Sequence, residues 1–343
     1  GARPTAGRRA KGDRYHMVFF ESKSTDPYYN LALEEYFLTR LDRTQDYFLL
    51  WQNDCAVIVG RYQNTIEEID GAFVREQGIR VARRLSGGGA VYHDLGNLNY
   101  TFIVDDDRAE RFHFQFFSEP LLAALRQLGV QAQCTGRNDV TIDGKKISGS
   151  AQYVRDGRLL HHGCILLDCD AGTLARALRP GTDKIASKSI KSVRSRVTSI
   201  NEHLQAPISM DRFKAALLEQ VFAAGDPSFA TLLPADRQEI LRLRDEKYAT
   251  WAWNYGQSPR CDVEKKRRFA FGEVSLQLQL SQGVIEDIRI YGDFFGRLPL
   301  ASLETMLRGK RLTPEDLQPL ADVDLSAYVS GLTWPAFLAL LCG

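Results

Sequence analysis

No apolar run in this chain approaches the ~20 residues that a membrane-spanning helix needs, so neither a span nor a membrane partner is expected. Cysteine is sparse and scattered, at positions 55, 134, 164, 169, 261 and 342. No two of them form a C-x-x-C pair, which removes the zinc-ribbon and thioredoxin patterns and suits a soluble chain in a reducing compartment. Charge of one sign is not in excess either, since the formal net charge is +1. Arg3, Arg8, Arg9, Lys11 and Arg14 against Asp13 give residues 1–16 a net +4, which leaves −3 on the rest. Such a body lacks the dense basic surface that neutralises phosphate backbones, so nucleic acid is not an expected partner. Internal repeats and low-complexity tracts are absent as well.

What is present is an ordinary globular composition, 44% hydrophobic and 25% charged over 343 residues. That is enough to bury a full core and long enough for two domains. Residues 1–16 are polar, basic and without apolar periodicity, and Met17 opens the first apolar run. They are expected to be a tag or a processed leader outside the fold. An Arg-rich leader would imply a mitochondrial location; otherwise the cytoplasm is expected. A composition shift over residues 254–266 reads as a linker. It would separate a large α/β (α+β) domain, residues 17–253, from a small α+β domain, residues 267–343.

Local signals predict the elements. Met17–Glu21 reads as a strand. Asp26-Pro27 reads as an N-cap followed by proline at the first helical position, and Tyr29, Leu33, Tyr36, Phe37 and Leu41 then repeat at helical spacing. The runs Tyr47–Trp51 and Cys55–Gly60 flank Asn53-Asp54, which predicts a hairpin. Phe116–Leu128 has helical spacing and stops at Gly129. Asp143-Gly144 marks a tight turn between strands. Past the linker, Phe269–Leu280 and Val284–Tyr291 alternate around Gln282-Gly283 as an antiparallel pair.

Four patterns carry chemistry. The first is RRLSGGGAVYHD, Arg83 to Asp94. Three glycines allow positive φ and close backbone approach to a ligand, and successive amides can form an anion nest. Arg83 and Arg84 offer paired donors to a carboxylate or phosphate. The same pattern also fits an exposed hairpin turn. No Walker lysine follows it and it is not G-x-G-x-x-G. The second is GRNDVTIDGKKISGSAQ, Gly136 to Gln152. Asn138 and Asp139 supply oxygens for a hard cation such as Mg²⁺. Lys145 and Lys146 alternate across a strand, so only one faces any given site. The third is His161-His162, which must likewise point to opposite faces, so at least one is structural. The fourth is the basic stretch with Lys184, Lys188, Lys191, Arg194 and Arg196, either a solvated face or a lid over an anion.

Taken together and in order, these segments resemble the lipoate–protein ligase A family. The resemblance rests on RRLSGGGAVYHDLGNLNYTF, GRNDVTIDGKKISGSAQ, LHHGCILLDCD and KSVRSRVTSINEHL. STDPYYNLALEEY, WAWNYGQSP and GEVSLQLQLSQGVIEDIRIYGDFF extend it from about Met17 to the C-terminus. It implies the biotin/lipoate-ligase fold, with a large catalytic domain and a small accessory C-terminal domain. It implies ATP and Mg²⁺ as cofactors, with Asp139 as a metal ligand, and lipoic acid as substrate. Lys146 would be catalytic. Arg84, Ser86, Gly87, Gly88, Gly89, Ala90, Val91, Tyr92 and His93 would contact ATP or lipoyl-AMP, together with Asn138, Asp139, Ser148, Gly149, Ala151 and His162. Lys191, Ser192, Arg194 and Arg196 would form the adenylate loop.

The implied reaction joins lipoate to AMP and then to a lysine of an apo lipoyl domain. The partners would be 2-oxoacid dehydrogenase complexes or the glycine-cleavage H protein, and the ligase itself a monomer. Two transferases of the same fold compete with this reading. One would move acyl groups through a cysteine thioester, with Cys134 as the candidate nucleophile. The other would accept only preformed lipoyl-AMP.

Overall fold

The structure is a computed structural model. It describes residues 17–63, 65–105, 114–136, 138–178, 196–223, 225, 227–255, 263–281 and 284–342. Residues 1–16, most of the 254–266 segment and the expected adenylate-loop residues Lys191, Ser192 and Arg194 lie outside that set.

The expected cap forms. The Asp26 side chain accepts from the Tyr28 N–H, and Pro27 opens helix α1 (Pro27–Thr39). The strands that follow split between two sheets. β1 (Met17–Glu21) and β2 (Asp46–Trp51) enter a large sheet, while β3 (Ala56–Val59), β4 (Arg80–Arg83) and β5 (Val91–His93) form a small one in the order β4-β3-β5. The predicted hairpin of Tyr47–Trp51 with Cys55–Gly60 is therefore wrong. The side chain of Asn53 accepts from Asn30 and donates to His93, and the Asp54 N–H donates to Thr25 O. These tertiary bonds carry the chain from one sheet to the other instead of folding it back.

The large sheet continues through β6 (Asn97–Asp105), helix α2 (Phe114–Gln127), β7 (Gln133–Thr135), β8 (Asp139–Ile142), β9 (Lys145–Arg155) and β10 (Arg158–Leu166). The turn between β8 and β9 holds Asp143 at φ 50° and Gly144 at φ 75°, the paired positive φ values of a two-residue hairpin. After helix α3 (Met210–Val221), the two-residue β11 (Ser228–Phe229) adds the last edge. The strand order is β11-β1-β2-β6-β10-β9-β8-β7. One face packs against α2 and α3 in a core that includes Phe48, Tyr100, Phe102, Phe117 and Phe213. The other face packs against α1 and helix α4 (Pro234–Leu243) through Leu33, Phe37, Leu49 and Tyr248.

The C-terminal part has its own sheet, β12 (Val263–Phe269), β13 (Gly272–Ser281) and β14 (Val284–Gly292), with helix α5 (Leu300–Leu307) among the elements over its apolar face. β13 and β14 are the expected antiparallel pair. β12 begins inside the segment that read as linker, residues 254–266, and continues past it: its exposed Lys266, Arg267 and Arg268 hid the alternation. Among the described residues, no helix is long and apolar enough to cross a membrane.

Candidate active site

A cavity of about 140 Å³ opens between the large sheet, the small sheet and α1. Strand alternation decides what lines it. On β5, Val91 and His93 face the cavity, whereas Tyr92 turns away into a core with Val57, Val59 and Val81 and pairs its hydroxyl with Cys55. On β10, His162 and Cys164 face inward. His161 points the other way and stacks on Phe117, with ring centroids 4.4 Å apart. On β9, Gly149 and Ala151 line the cavity, while Ser148 hydrogen-bonds the Tyr100 hydroxyl on the opposite face. Of the two adjacent lysines, Lys146 lines the cavity and Lys145 is exposed.

Lys146 is held by what surrounds it. Its Nζ lies 2.9 Å from Asp139 Oδ1. It also fills the space beside Gly149, where a β-carbon would come within 2.6 Å of the ammonium. The Lys146 carbonyl accepts from the Thr198 N–H, and Val197 bridges to the same residue. The segment that carries Arg196 is thus anchored beside the lysine. Asn138 is pinned by its side-chain N–H to Ser150 O at 2.7 Å.

Deeper in, a buried polar chain crosses from the glycine loop to α1. Arg84 Nε donates to Ser86 Oγ at 3.2 Å, and Ser86 Oγ lies 2.5 Å from His162 Nε2. His162 Nδ1 lies 2.9 Å from Glu34 Oε1, which also accepts from the Thr101 hydroxyl at 2.5 Å. Trp51 Nε1 donates to Thr101 Oγ1. A carboxylate can only accept, so His162 Nδ1 carries a proton and Nε2 is left for Ser86. Glu34 fell on a helix read only for its apolar spacing, and no sequence signal marked it.

The two arginines before the loop do different work from the paired anion clamp expected of them. Arg83 spends its donors on the carbonyls of Gly60, Arg61, Gln63, Trp253 and Asn254 and on Thr65 Oγ1. It ties the WAWN stretch to the body of the protein and has nothing left for a ligand. Arg84 lines the cavity, but its guanidinium donates to Gly87 O and Gly89 O at 2.7 and 2.8 Å and so closes the glycine loop on itself. Burial lowers both guanidinium groups to about 10, with neighbouring cations adding to the effect for Arg83. Burial, then Arg84 and His162, pushes His93 down to about 3, so its imidazole is neutral.

Two of the loop glycines are required by packing. A β-carbon on Gly87 would sit 2.3 Å from Phe294 O, and the Gly88 N–H donates to that carbonyl at 2.9 Å. Phe295 lines the cavity and its ring lies 5.8 Å from that of Phe114. The C-terminal part therefore sits directly on the loop. Gly89 is the open one, with its nearest neighbour 4.0 Å from a would-be β-carbon.

The sequence matches the family described as the lipoyl protein ligase A/B catalytic domain over residues 26–222, and the bacterial lipoate protein ligase C-terminus over residues 258–341. Lipoate-protein ligase LplJ of Bacillus subtilis is 42% identical over 331 residues, 95% of this chain and 100% of that protein. The chain belongs to the lipoate–protein ligase family.

Solved structures agree with this. LipL1 of P. falciparum, in complex with lipoate, has a TM-score of 0.76 and 25% identity, covering 89% of this chain and 94% of that one. A chain from the archaeal lipoylation system of Thermoplasma acidophilum, described as a bipartite lipoate protein ligase and its E2 lipoyl domain, has a TM-score of 0.64 and 30% identity. It covers 72% of this chain and 100% of its own. A lipoate-protein ligase A bound with ATP has a TM-score of 0.59 and 27% identity, over 70% of this chain and 98% of that one. The expected fold and the expected enzyme class, a lipoate–protein ligase, both stand.

Of the site residues expected for this ligase, Arg84, Gly88, Gly89, Ala90, Val91, His93, Asn138, Lys146, Gly149, Ala151 and His162 line the cavity. Ser86, Gly87 and Asp139 support residues that do. Tyr92 and Ser148 point elsewhere. Sequence reasoning missed the inner wall, formed by Leu31, Trp51, Ile58, Asn99 and Cys164, and the contribution of Phe295. Cys134 is on β7 and does not line the cavity. Burial raises its thiol, the reverse of what a thiolate nucleophile needs.

Proposed function

We propose that this ligase adenylates lipoate with Mg·ATP in the cavity and passes the lipoyl group to a lysine of an apo lipoyl domain in the cytoplasm. The observation that carries this is one cavity lined both by the half-exposed Lys146, with Gly89 and Asn138, and by the buried apolar Leu31, Trp51 and Ile58. Such a site holds a fatty acyl chain inside and leaves its carboxylate at the lysine. The association of the related structures with lipoate, ATP and an E2 lipoyl domain supports the same choice of ligands. The lipoyl domains of 2-oxoacid dehydrogenase complexes and the glycine-cleavage H protein are the carriers proposed, and a monomer is the working unit.

In the first step a carboxylate oxygen of lipoate attacks the α-phosphorus of ATP, and the bond to pyrophosphate breaks. Lys146 offsets the negative charge shared by the acyl and α-phosphate oxygens, as an oxyanion hole does. The Arg84–Ser86–His162–Glu34 chain fixes the glycine loop so that the Gly89 and Ala90 backbone can approach the nucleotide. In the second step the carrier amine attacks the acyl carbon, AMP leaves, and the amine loses a proton. Its ordinary pKa is ~10.4, so attack requires the neutral form.

Magnesium fits as an ion that arrives with the nucleotide. Asp139, whose Oδ1 pairs with Lys146, and the side-chain oxygen of Asn138 are the groups that would hold it, and Mg²⁺ commonly takes one or two carboxylates plus phosphate oxygens. Among the described residues, no group of three His, Cys, Asp or Glu could hold a metal alone. The ion would supply charge neutralisation on the phosphates.

The test incubates the protein with lipoate and an apo lipoyl domain, with and without Mg·ATP, and weighs the domain by mass spectrometry. A lipoyl mass gain that requires Mg·ATP is expected. A gain only from synthetic lipoyl-AMP would reduce the enzyme to the transfer step. A gain only from an octanoyl carrier would overturn the ligase reading.

A further inference from the structure

β6 carries three polar residues, Asn97, Asn99 and Thr101, at alternate positions opposite the Leu98, Tyr100 and Phe102 face. Two of them are engaged. Thr101 bridges Trp51 and Glu34, and Asn97 Oδ1 accepts the Asp94 N–H. Asn99 is different. It is 1% exposed, and its Nδ2 has no hydrogen-bond partner among the described residues. An unpaired buried donor carries a desolvation penalty, and native proteins keep such groups where a ligand, ion or water completes them.

Strand register says what would complete it. Gly149 on β9 pairs with Cys164 on β10, Cys164 pairs with Asn99 on β6, and Asn99 pairs with Trp51 on β2. All four line the cavity, so they form one row across its floor. The Lys146 ammonium sits over Gly149, at one end of that row. Asn99 is two strand spacings further in, about 10 Å at the usual interstrand distance. An acyl chain with its carboxylate at Lys146, laid along the row, brings the atoms past its fifth carbon to Asn99. In lipoate those atoms belong to the dithiolane ring, whose sulfurs are weak acceptors. In octanoate they are methylene and methyl groups that accept nothing.

We propose that the Asn99 side-chain amide is a specificity-determining donor that reads the dithiolane of the acyl group and selects lipoate over octanoate. This rests on the reading of the cavity as the acyl site. Binding octanoate leaves the amide unpaired, and a site that leaves a buried donor unpaired rejects the substrate responsible.

The experiment measures kcat/KM for lipoate and octanoate by pyrophosphate release, in the wild type and in Asn99→Leu, which keeps the volume and removes the donor. The lipoate-to-octanoate ratio is expected to fall by about tenfold, the loss from one weak hydrogen bond. Wild-type enzyme is also assayed with straight-chain C8 acids in which sulfur replaces the methylene at position 6 or the methyl at position 8. At least one is expected to exceed octanoate, which does not depend on whether the variant folds. An unchanged ratio in folded Asn99→Leu, or thia-acids no better than octanoate, overturns the assignment and leaves the ligase reading intact. A wild type that adenylates none of these acids overturns both.

Discussion

The ammonium of Lys146 occupies the space that a β-carbon on Gly149 would need, 2.6 Å away. The pair predicts two graded losses. Lys146→Ala should remove adenylate formation by a factor of about 10²–10³, the usual cost of one preorganised charge-stabilising donor. Gly149→Ala should keep the lysine but push its Nζ off the row, giving a partial loss with an unchanged thermal midpoint. Pyrophosphate release and a melting curve on each variant check this. Full activity in folded Lys146→Ala would remove the lysine from the mechanism.

Glu34 accepts from both the Thr101 hydroxyl and His162 Nδ1. Removing it leaves two buried donors without a partner, at ~1–3 kcal/mol each. Glu34→Ala is therefore expected to lower unfolding stability by about 3 kcal/mol, read from the urea midpoint. Glu34→Gln retains an acceptor oxygen and should lose less. Equal losses in the two variants would mean that side-chain volume, not the hydrogen-bond chain, is what matters there.

Arg83 makes six hydrogen bonds, five of them to main-chain carbonyls, through a planar fork that a lysine cannot imitate. Arg83→Lys should therefore behave as a disruptive change and cost about 3 kcal/mol by leaving buried carbonyls unpaired. Pyrophosphate release at saturating substrates should change little, because the residue touches no ligand. A loss of turnover without a loss of stability would return Arg83 to the anion-binding role its position beside the glycines suggested.

Local chemistry was legible in the sequence, and distant choices were not. The Asp26 cap, the stop at Gly129 and the Asp143-Gly144 turn follow from one or two residues each, and all three form. The Asn53-Asp54 turn failed because a partner far along the chain, His93, recruits the Asn53 side chain. β12 was missed because charged residues on both sides of an edge strand carry no period-two signal. The motifs marked the mouth of the cavity through Lys146, Gly89 and Asn138. They could not mark its inner wall, since spacing on α1 tells which residues are apolar but not that Leu31 lies over the cavity.

Acid should expose the buried histidines. His93 is held neutral by burial, with its pKa at about 3 against an ordinary 6.5, and its ring nitrogen accepts from Asn53. Burial lowers His161 in the same direction. The unfolded chain takes up protons below about pH 6.5 that the folded one refuses, so this stability is whole above 6.5 and is lost as pH falls toward 3. Each site adds a slope of up to about 1.4 kcal/mol per pH unit in that window. Urea unfolding at pH 7, 6 and 5 should show the decline, and His93→Gln, which can still accept from Asn53, should flatten it by up to one site's share. A variant whose slope matches the wild type would mean that His93 titrates normally and that the inner wall of the cavity is wet.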